Sequence, residues 1–314
     1  MSAVISCHKF KFTVPGDLTH AELEKVCIDL FGYSFCRFER LYQGRDCYQT
    51  IHVLSDTGGE LVTVYRDGWM RNRGTTCIAV TGRGMELINP DLHTMCQYIV
   101  ASKGNLCAVD MAFDDFDNCL DWDTLVLLSL ADNFKTRVRT KFNRSGSSKT
   151  NPFPTVTVQP RRILYGSEKS ANCFVIYDRQ FVEGVEYPWL RGELRITHRE
   201  DCRAICHALA AGDDVGPLFA GLLRSRLEFL AAGPCRKDHR LVEPWWNEFL
   251  QGVAATGLKR IRNDSPHYEF VPSVVARVRR AFKTAFDTGD NDILAALFGV
   301  VEECRTAYQS GLTF

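Results

Sequence analysis

The sequence predicts an α+β fold, an antiparallel sheet core followed by a mainly helical C-terminal part. Three observations carry that expectation. Apolar residues recur at every second position in short runs through the first 200 residues, the spacing of half-buried strands. Turn-forming clusters such as 56–59 (DTGG) and 67–74 (DGWMRNRG) separate these runs. From Glu200 onward the apolar spacing becomes helical.

Ile5–Val14 alternates as a strand. A helix over Thr19–Gly32 follows, with Thr19 as N-cap, Glu22 completing a capping box and Gly32 as the stop. Asp46–Leu54, Glu60–Arg66 and Thr75–Thr81 read as strands, Pro90–Gly104 as a helix and Leu106–Phe113 as an acidic strand. That βαβββαβ order is close to a ferredoxin-like or RRM-like half. Trp122–Phe134 reads as a helix. In Lys135–Arg144, Lys135, Arg137, Arg139 and Lys141 all fall on odd positions, so a strand or extended arm there presents one basic edge. A Ser/Gly-rich break spans 145–151. Val156–Val158, Arg162–Tyr165, Asn172–Tyr177 and Leu190–Thr197 supply four more strands. The expected core is therefore two ferredoxin/RRM-like halves within residues 1–200. Glu200–Ala211, Val215–Ala232, Glu243–Ala255, Val271–Asp287 and Ile293–Ser310 read as helices. Residues 201–314 form a helical region that packs on the sheet or contributes to DNA binding.

Composition narrows the class. Of 314 residues 45% are hydrophobic, enough for a sizeable core. The zero net charge excludes a uniformly basic DNA coat and leaves room for a local basic surface. Thirteen cysteines, an odd number without a repeating framework, read as reduced thiols in the cytoplasm. No apolar run is long enough to span a membrane.

Three stretches carry the chemistry. In Leu106–Asn118 (LCAVDMAFDDFDN) apolar residues alternate with acids, which throws Asp110 and Asp114 to one face of a strand. Tyr165–Arg179 (YGSEKSANCFVIYDR) ends an apolar strand on Tyr177, flanked by Asp178 and Arg179. Trp189–Ile196 (WLRGELRI) sets Glu193 between Arg191 and Arg195. A tyrosine hydroxyl can attack a phosphodiester and hold the cut strand as a phosphotyrosine, which conserves the bond energy for rejoining. A phenol with its pKa of about 10 needs a cation on the phosphate and an acceptor for its proton. Asp110, Asp114 and Glu193 are hard oxygen donors suited to Mg²⁺ or Mn²⁺. Acids on adjacent strands repel unless a cation lies between them. The plainer alternatives are a tyrosine packed in the sheet and acids paired with Arg191 and Arg195. Tyr165 is the rival nucleophile, and Asp115 and Asp117 belong to the following turn.

Other constellations are weaker. The eight histidines never form a His-x-His pair or HExxH, so carboxylates must dominate any metal shell. His198, Cys202, Cys206 and His207 have helical spacing that fits zinc, yet small cysteines on such a helix are ordinary core residues. Gly82-Arg83-Gly84 is a turn without the third glycine of a dinucleotide site. Trp245-Trp246 reads as a packing anchor.

Taken in order, these motifs resemble the replication initiators of rolling-circle plasmids and filamentous phages, the plasmid Rep and phage RstA-like family. The matching residues are Val109-Asp110-Met111-Ala112-Phe113-Asp114, then Tyr165-Gly166-Ser167-Glu168-Lys169-Ser170, then Ile176-Tyr177-Asp178-Arg179, and Trp189-Leu190-Arg191-Gly192-Glu193, with Ile78–Gly84 upstream. The family pattern places a basic residue where this chain has Ala108 and Val175, and a lysine where it has Arg179. The resemblance covers Thr75 to Ile196. It implies a site-specific, metal-dependent nickase and strand transferase with Tyr177 as nucleophile. Asp110, Asp114 and Glu193 would hold Mg²⁺ or Mn²⁺, and Lys169, Arg179 and Arg191 of the matched motifs would contact DNA; the basic edge, read from its own spacing, adds Arg137, Arg139 and Lys141 as DNA contacts. It further implies a 5′-phosphotyrosine, later strand rejoining, origin DNA that is single-stranded or extruded, host helicase and polymerase as partners, room for a homodimer, and the cytoplasm of a bacterial host. A non-catalytic origin- or promoter-binding protein and a hydrolase unrelated to DNA are the competing classes.

Overall fold

Ten strands build one sheet in the computed structural model, which describes residues 4–136, 141–144, 147–150, 155–158, 161–168, 170–233, 235–236 and 239–250. Their order is β10 (Thr155–Val158), β11 (Arg161–Tyr165), β12 (Asn172–Asp178), β13 (Leu190–Ile196), β6 (Asn105–Asp115), β1 (Val4–Pro15), β5 (Thr75–Val80), β4 (Gly59–Gly68), β3 (Tyr48–Asp56) and β2 (Glu39–Leu41). Every neighbouring pair is antiparallel. The two half-sheets read from the sequence thus form one continuous sheet, joined where Gly192 of β13 pairs with Phe113 of β6.

Helix α1 (His20–Phe31) begins as its sequence dictates. The Thr19 hydroxyl accepts from the Glu22 amide, the Glu22 carboxylate accepts from the Thr19 amide, and Gly32 stops the helix with φ +71°. Helices α2 (Gly82–Ile88), α3 (Leu92–Ala101), α4 (Trp122–Leu130), α5 (Arg179–Glu183), α6 (Arg199–Ala210), α7 (Val215–Arg226) and α8 (Pro244–Phe249) follow. Alternate strand residues Phe10, Phe12, Val109, Met111, Phe113, Phe174, Ile176, Leu194 and Ile196 share one core with Leu23, Met95, Ile205 and Phe219 of the helices. Each such side chain contributes about 1.5–3 kcal/mol by leaving water. Gly192 is fixed by this packing, since a Cβ there would meet the Phe174 ring at 2.8 Å.

Several elements depart from the sequence reading. The helix expected over Val215–Ala232 stops at Arg226, because β14 (Leu227–Phe229) pairs with β7 (Phe134–Thr136) and buries Phe229 against Tyr165 and Trp246. That same strand pairing ends the preceding helix at Leu130, short of Phe134. The glycines at 82–84 open α2, whose Thr81 cap accepts from the Gly84 amide. Of the basic edge, residues 135–136 and 141–144 are described, and both stretches are strand. β7 ends at Thr136, and β8 (Lys141–Arg144) pairs with β9 (Ser147–Thr150), so part of the Ser/Gly-rich stretch is strand.

The chain divides into two compact units, Met1–Ile261 and Arg262–Phe314. Every described residue belongs to the first, whose core includes α6 and α7 together with the sheet. The helices expected over 271–287 and 293–310 lie outside the described residues. Among the described residues no helix is long and apolar enough to cross a membrane, and no two cysteines are joined.

Candidate active site

Strand alternation decides which side chains share the sheet face opposite the main core. Leu190, Leu194 and Ile196 of β13 enter the core, so Arg191, Glu193 and Arg195 point the other way. Register then sets three rows across β12, β13 and β6: Tyr177–Arg191–Asp114, Val175–Glu193–Ala112 and Cys173–Arg195–Asp110. The sheet therefore brings Tyr177, Asp110, Asp114, Glu193 and Arg191 onto one patch.

β1 adds a residue the sequence did not reveal. Its register shifts between Cys7 and Lys9, a β-bulge that leaves His8 unpaired and turned to the same patch. His8 Nδ1 sits 3.1 Å from Glu193 Oε1, the oxygen that also accepts the Tyr177 hydroxyl at 2.7 Å. His8 went unnoticed because the bulge breaks the alternation that would have marked it. Gly82, first residue of α2, lets the imidazole lie close, for a Cβ there would meet His8 Nε2 at 2.2 Å. Gly82→Ala should therefore push the ring off Glu193 with little change in melting temperature, because a terminal ring can swing aside. The His8 Nδ1 proton resonance reads the first effect and calorimetry the second.

Asp114 is held by its neighbours, as in the plainer alternative of acids paired with Arg191 and Arg195. Arg191 donates to it through Nε at 2.6 Å and Nη2 at 2.7 Å, and the Trp189 indole donates at 2.6 Å, all within the buried patch. Two donors share Oδ1 and one occupies Oδ2, so a cation approaching Asp114 would compete with a bidentate pair. Asp110 contrasts with it. Arg195 Nε donates to Oδ2 at a long 3.3 Å, while the buried Oδ1 has no hydrogen-bond partner. Asp115 closes the turn by accepting from the amides of Asp117 and Leu120.

Burial and charge tune these groups in opposite directions. Burial raises the Asp110 pKa, with Glu193 adding to the rise against the pull of Arg195 and Lys9. Burial likewise pushes Glu193 up, but hydrogen bonds from His8 and Tyr177 and the charges of His8 and Arg191 outweigh it, and the net pKa is lowered. Burial and the charge of Glu193 hold the Tyr177 phenol well above its usual value, so it is a neutral donor to an ionised carboxylate.

Two arginines border the tyrosine. Arg179 lies 4.3 Å above the Trp189 ring and pairs with Glu183 at 3.1 Å and Glu86 at 3.3 Å. Arg191 Nη1 lies 3.6 Å from Glu86. The buried Nη1 atoms of both arginines have no hydrogen-bond partner. Both guanidiniums are ion-paired with carboxylates yet keep one N–H group outside hydrogen-bond geometry.

The remaining candidates separate from this patch. Tyr165 is fully buried, bonded to the Ser129 hydroxyl and packed on Phe134, Phe174 and Phe229. Cys202 and Cys206 point their thiols at the carbonyls of Ile196 and Cys96 in the core, while His207 is exposed, so the four zinc candidates do not converge. Trp246 is a core anchor whose indole donates to the Leu227 carbonyl. Lys141 opens β8, and Arg137, Arg139 and Lys169 lie outside the described residues. Among the described residues no three His, Cys, Asp or Glu side chains form a group able to hold a metal by themselves.

Comparison with known proteins adds an independent line. A family model described as replication initiation factor matches residues 104–270, more than half of the chain and all of this patch except His8. The solved structure of the rolling circle replication initiator protein from Geobacillus stearothermophilus shares the fold, with a TM-score of 0.63, covering 83% of this chain and 100% of that one at 19% identity. Among curated proteins none matches the sequence.

Proposed function

The chain belongs to the replication initiation factor family, and from that premise we propose that it is a rolling-circle initiator that nicks an origin with Tyr177 and later rejoins the strand. The carrying observation is the neutral Tyr177 hydroxyl held on ionised Glu193, with Arg191 its register partner and Arg179 two residues on. The expected cofactor is Mg²⁺ or Mn²⁺, and the donor set fits it in part. Asp110 offers a buried oxygen without a hydrogen-bond partner, and Glu193 a second carboxylate, whereas Asp114 is engaged by the bidentate Arg191. Two carboxylates completed by water and a substrate phosphate are a common arrangement for Mg²⁺. Bound there, the cation would polarise the scissile phosphate and offset the charge that keeps the phenol protonated.

The chain's own residues supply the rest. Glu193 Oε1 fixes the direction of the Tyr177 hydroxyl and accepts its proton, while His8 fixes Glu193 from the other side. Tyr177 Oη bonds to phosphorus, the bond from phosphorus to the 3′-oxygen breaks, and that oxygen takes up a proton. The products are a 5′-phosphotyrosine and a free 3′-OH for host polymerase, with host helicase opening the duplex. Attack by a 3′-OH on the phosphotyrosine reverses the step and rejoins the ends. Arg191 and Arg179 stabilise the phosphate by charge-assisted donation. This activity belongs in the cytoplasm of a bacterial host, and the protein acts there alone or as a homodimer.

The test is incubation of the full chain with the single-stranded origin of its own replicon and Mg²⁺. An SDS-stable protein–DNA adduct is expected. Origin binding without an adduct or a nick would leave a non-catalytic origin-binding protein instead.

The basic residues Arg137, Arg139 and Lys141 complete the reading as backbone contacts. Their replacement by Gln should weaken origin and non-origin DNA alike, and each lost phosphate contact should flatten the log–log salt dependence by about one unit. Nicking at saturating DNA should barely change, because such contacts position the strand. Affinity unchanged across a salt titration would show a solvated face.

A further inference from the structure

Three aromatic rings beside Tyr177 have no part in the chemistry above. Phe116 follows β6, and Tyr187 and Trp189 precede β13. Their centroids lie 5.2 Å apart for Phe116–Trp189 and 6.1 Å for each of the other two pairs, with Tyr187 and Trp189 close to parallel at 24°. Phe116 is 39% and Tyr187 51% exposed. Large rings clustered in water need a reason, since folding gains more by burying them.

The cluster is held in place. The Trp189 indole donates to Asp114, its carbonyl accepts from the Arg179 and Gln180 amides, and the Arg179 and Arg191 guanidiniums lie 4.3 Å and 5.5 Å from its ring. Trp189 stands two residues before Arg191, about 6.6 Å along the strand, and Arg191 is the register partner of Tyr177. A fixed inner ring therefore carries two exposed outer rings at the border of the tyrosine site.

The geometry points to a stacking platform on which Phe116, Tyr187 and Trp189 receive unpaired nucleobases of the strand presented to Tyr177. The inference rests on the nicking reading and names the form of its substrate. Two features of the site select this occupant. Ring faces call for a planar aromatic ligand, and the Arg179 and Arg191 guanidiniums 4.3 Å and 5.5 Å from the Trp189 ring supply positive charge for an anion at the same border. Single-stranded DNA joins both in one repeating unit, whereas duplex DNA keeps its base faces covered.

The probe is a fluorescent dT16 oligonucleotide, compared with a 16-mer of the same backbone whose sugars are abasic. Binding to the full chain is measured by anisotropy. Stacking on an aromatic side chain changes affinity by about 5- to 150-fold per base, so wild type should prefer dT16 by at least about tenfold. The Phe116→Ala/Tyr187→Ala double variant should lose that preference, keep its affinity for the abasic strand and melt like wild type. The exchange Tyr187→Phe should retain the preference. Equal affinity of wild type for the two strands, or an equal loss for both in the double variant, would overturn the platform. The two readings fail separately. An adduct at the origin without base preference removes the platform alone, and base preference without an adduct removes the nicking chemistry alone.

Discussion

Replacing Tyr177 by Phe is expected to abolish the SDS-stable adduct, a loss of at least roughly 10⁴-fold in its rate of formation, as follows when a nucleophile is removed. The fold should survive. The variant forfeits one hydrogen bond to an ionised Glu193, a contribution of about 1.5–3 kcal/mol, and Glu193 keeps its His8 contact. Tyr165→Phe is the informative contrast. Its hydroxyl is buried against Ser129 in the aromatic core, so its loss should lower the melting temperature slightly and leave adduct formation intact. The opposite pattern, adduct kept by Tyr177→Phe and lost in Tyr165→Phe, would reassign the nucleophile. Denaturing gels of the two variants with labelled origin strand decide between them.

What the sequence could reveal depended on whether a feature was local and periodic. The α1 capping box and the alternation in β6, β12 and β13 are written in short spacings, and those elements form where the spacings place them. The same alternation put Tyr177, Glu193, Asp110 and Asp114 on one face. It could not say how four polar side chains would pair once there. Asp114 went to Arg191 because register makes them direct neighbours, and register is a long-range property. His8 was hidden for a related reason, since a bulge moves a residue from one face to the other without any mark in composition. Leu227–Phe229 shows the third kind of limit. Its apolar spacing continues the α7 pattern, and only pairing with Phe134–Thr136 makes it a strand.

The two aspartates of β6 should separate when each is made neutral. Asp114→Asn keeps shape but removes the charge that balances Arg191, which is 3% exposed. Breaking a buried pair by neutralising one partner costs about 3–5 kcal/mol, a large share of the roughly 5–15 kcal/mol that holds a domain together. The variant should melt far below wild type, and its loss of nicking should follow unfolding. Asp110→Asn removes a carboxylate whose charge burial already disfavours, and its Arg195 partner is 39% exposed at the side chain and can turn to water. Its melting temperature should therefore equal or exceed wild type. A ligand bound only by the folded state raises stability in proportion to the logarithm of its concentration, so Mg²⁺ should raise the wild-type melting temperature and fail to raise that of Asp110→Asn. Both readouts come from one calorimetric titration without DNA. If Asp114→Asn instead melts like wild type and loses the Mg²⁺ response, Asp114 is a metal ligand and the ion pair with Arg191 yields to the cation.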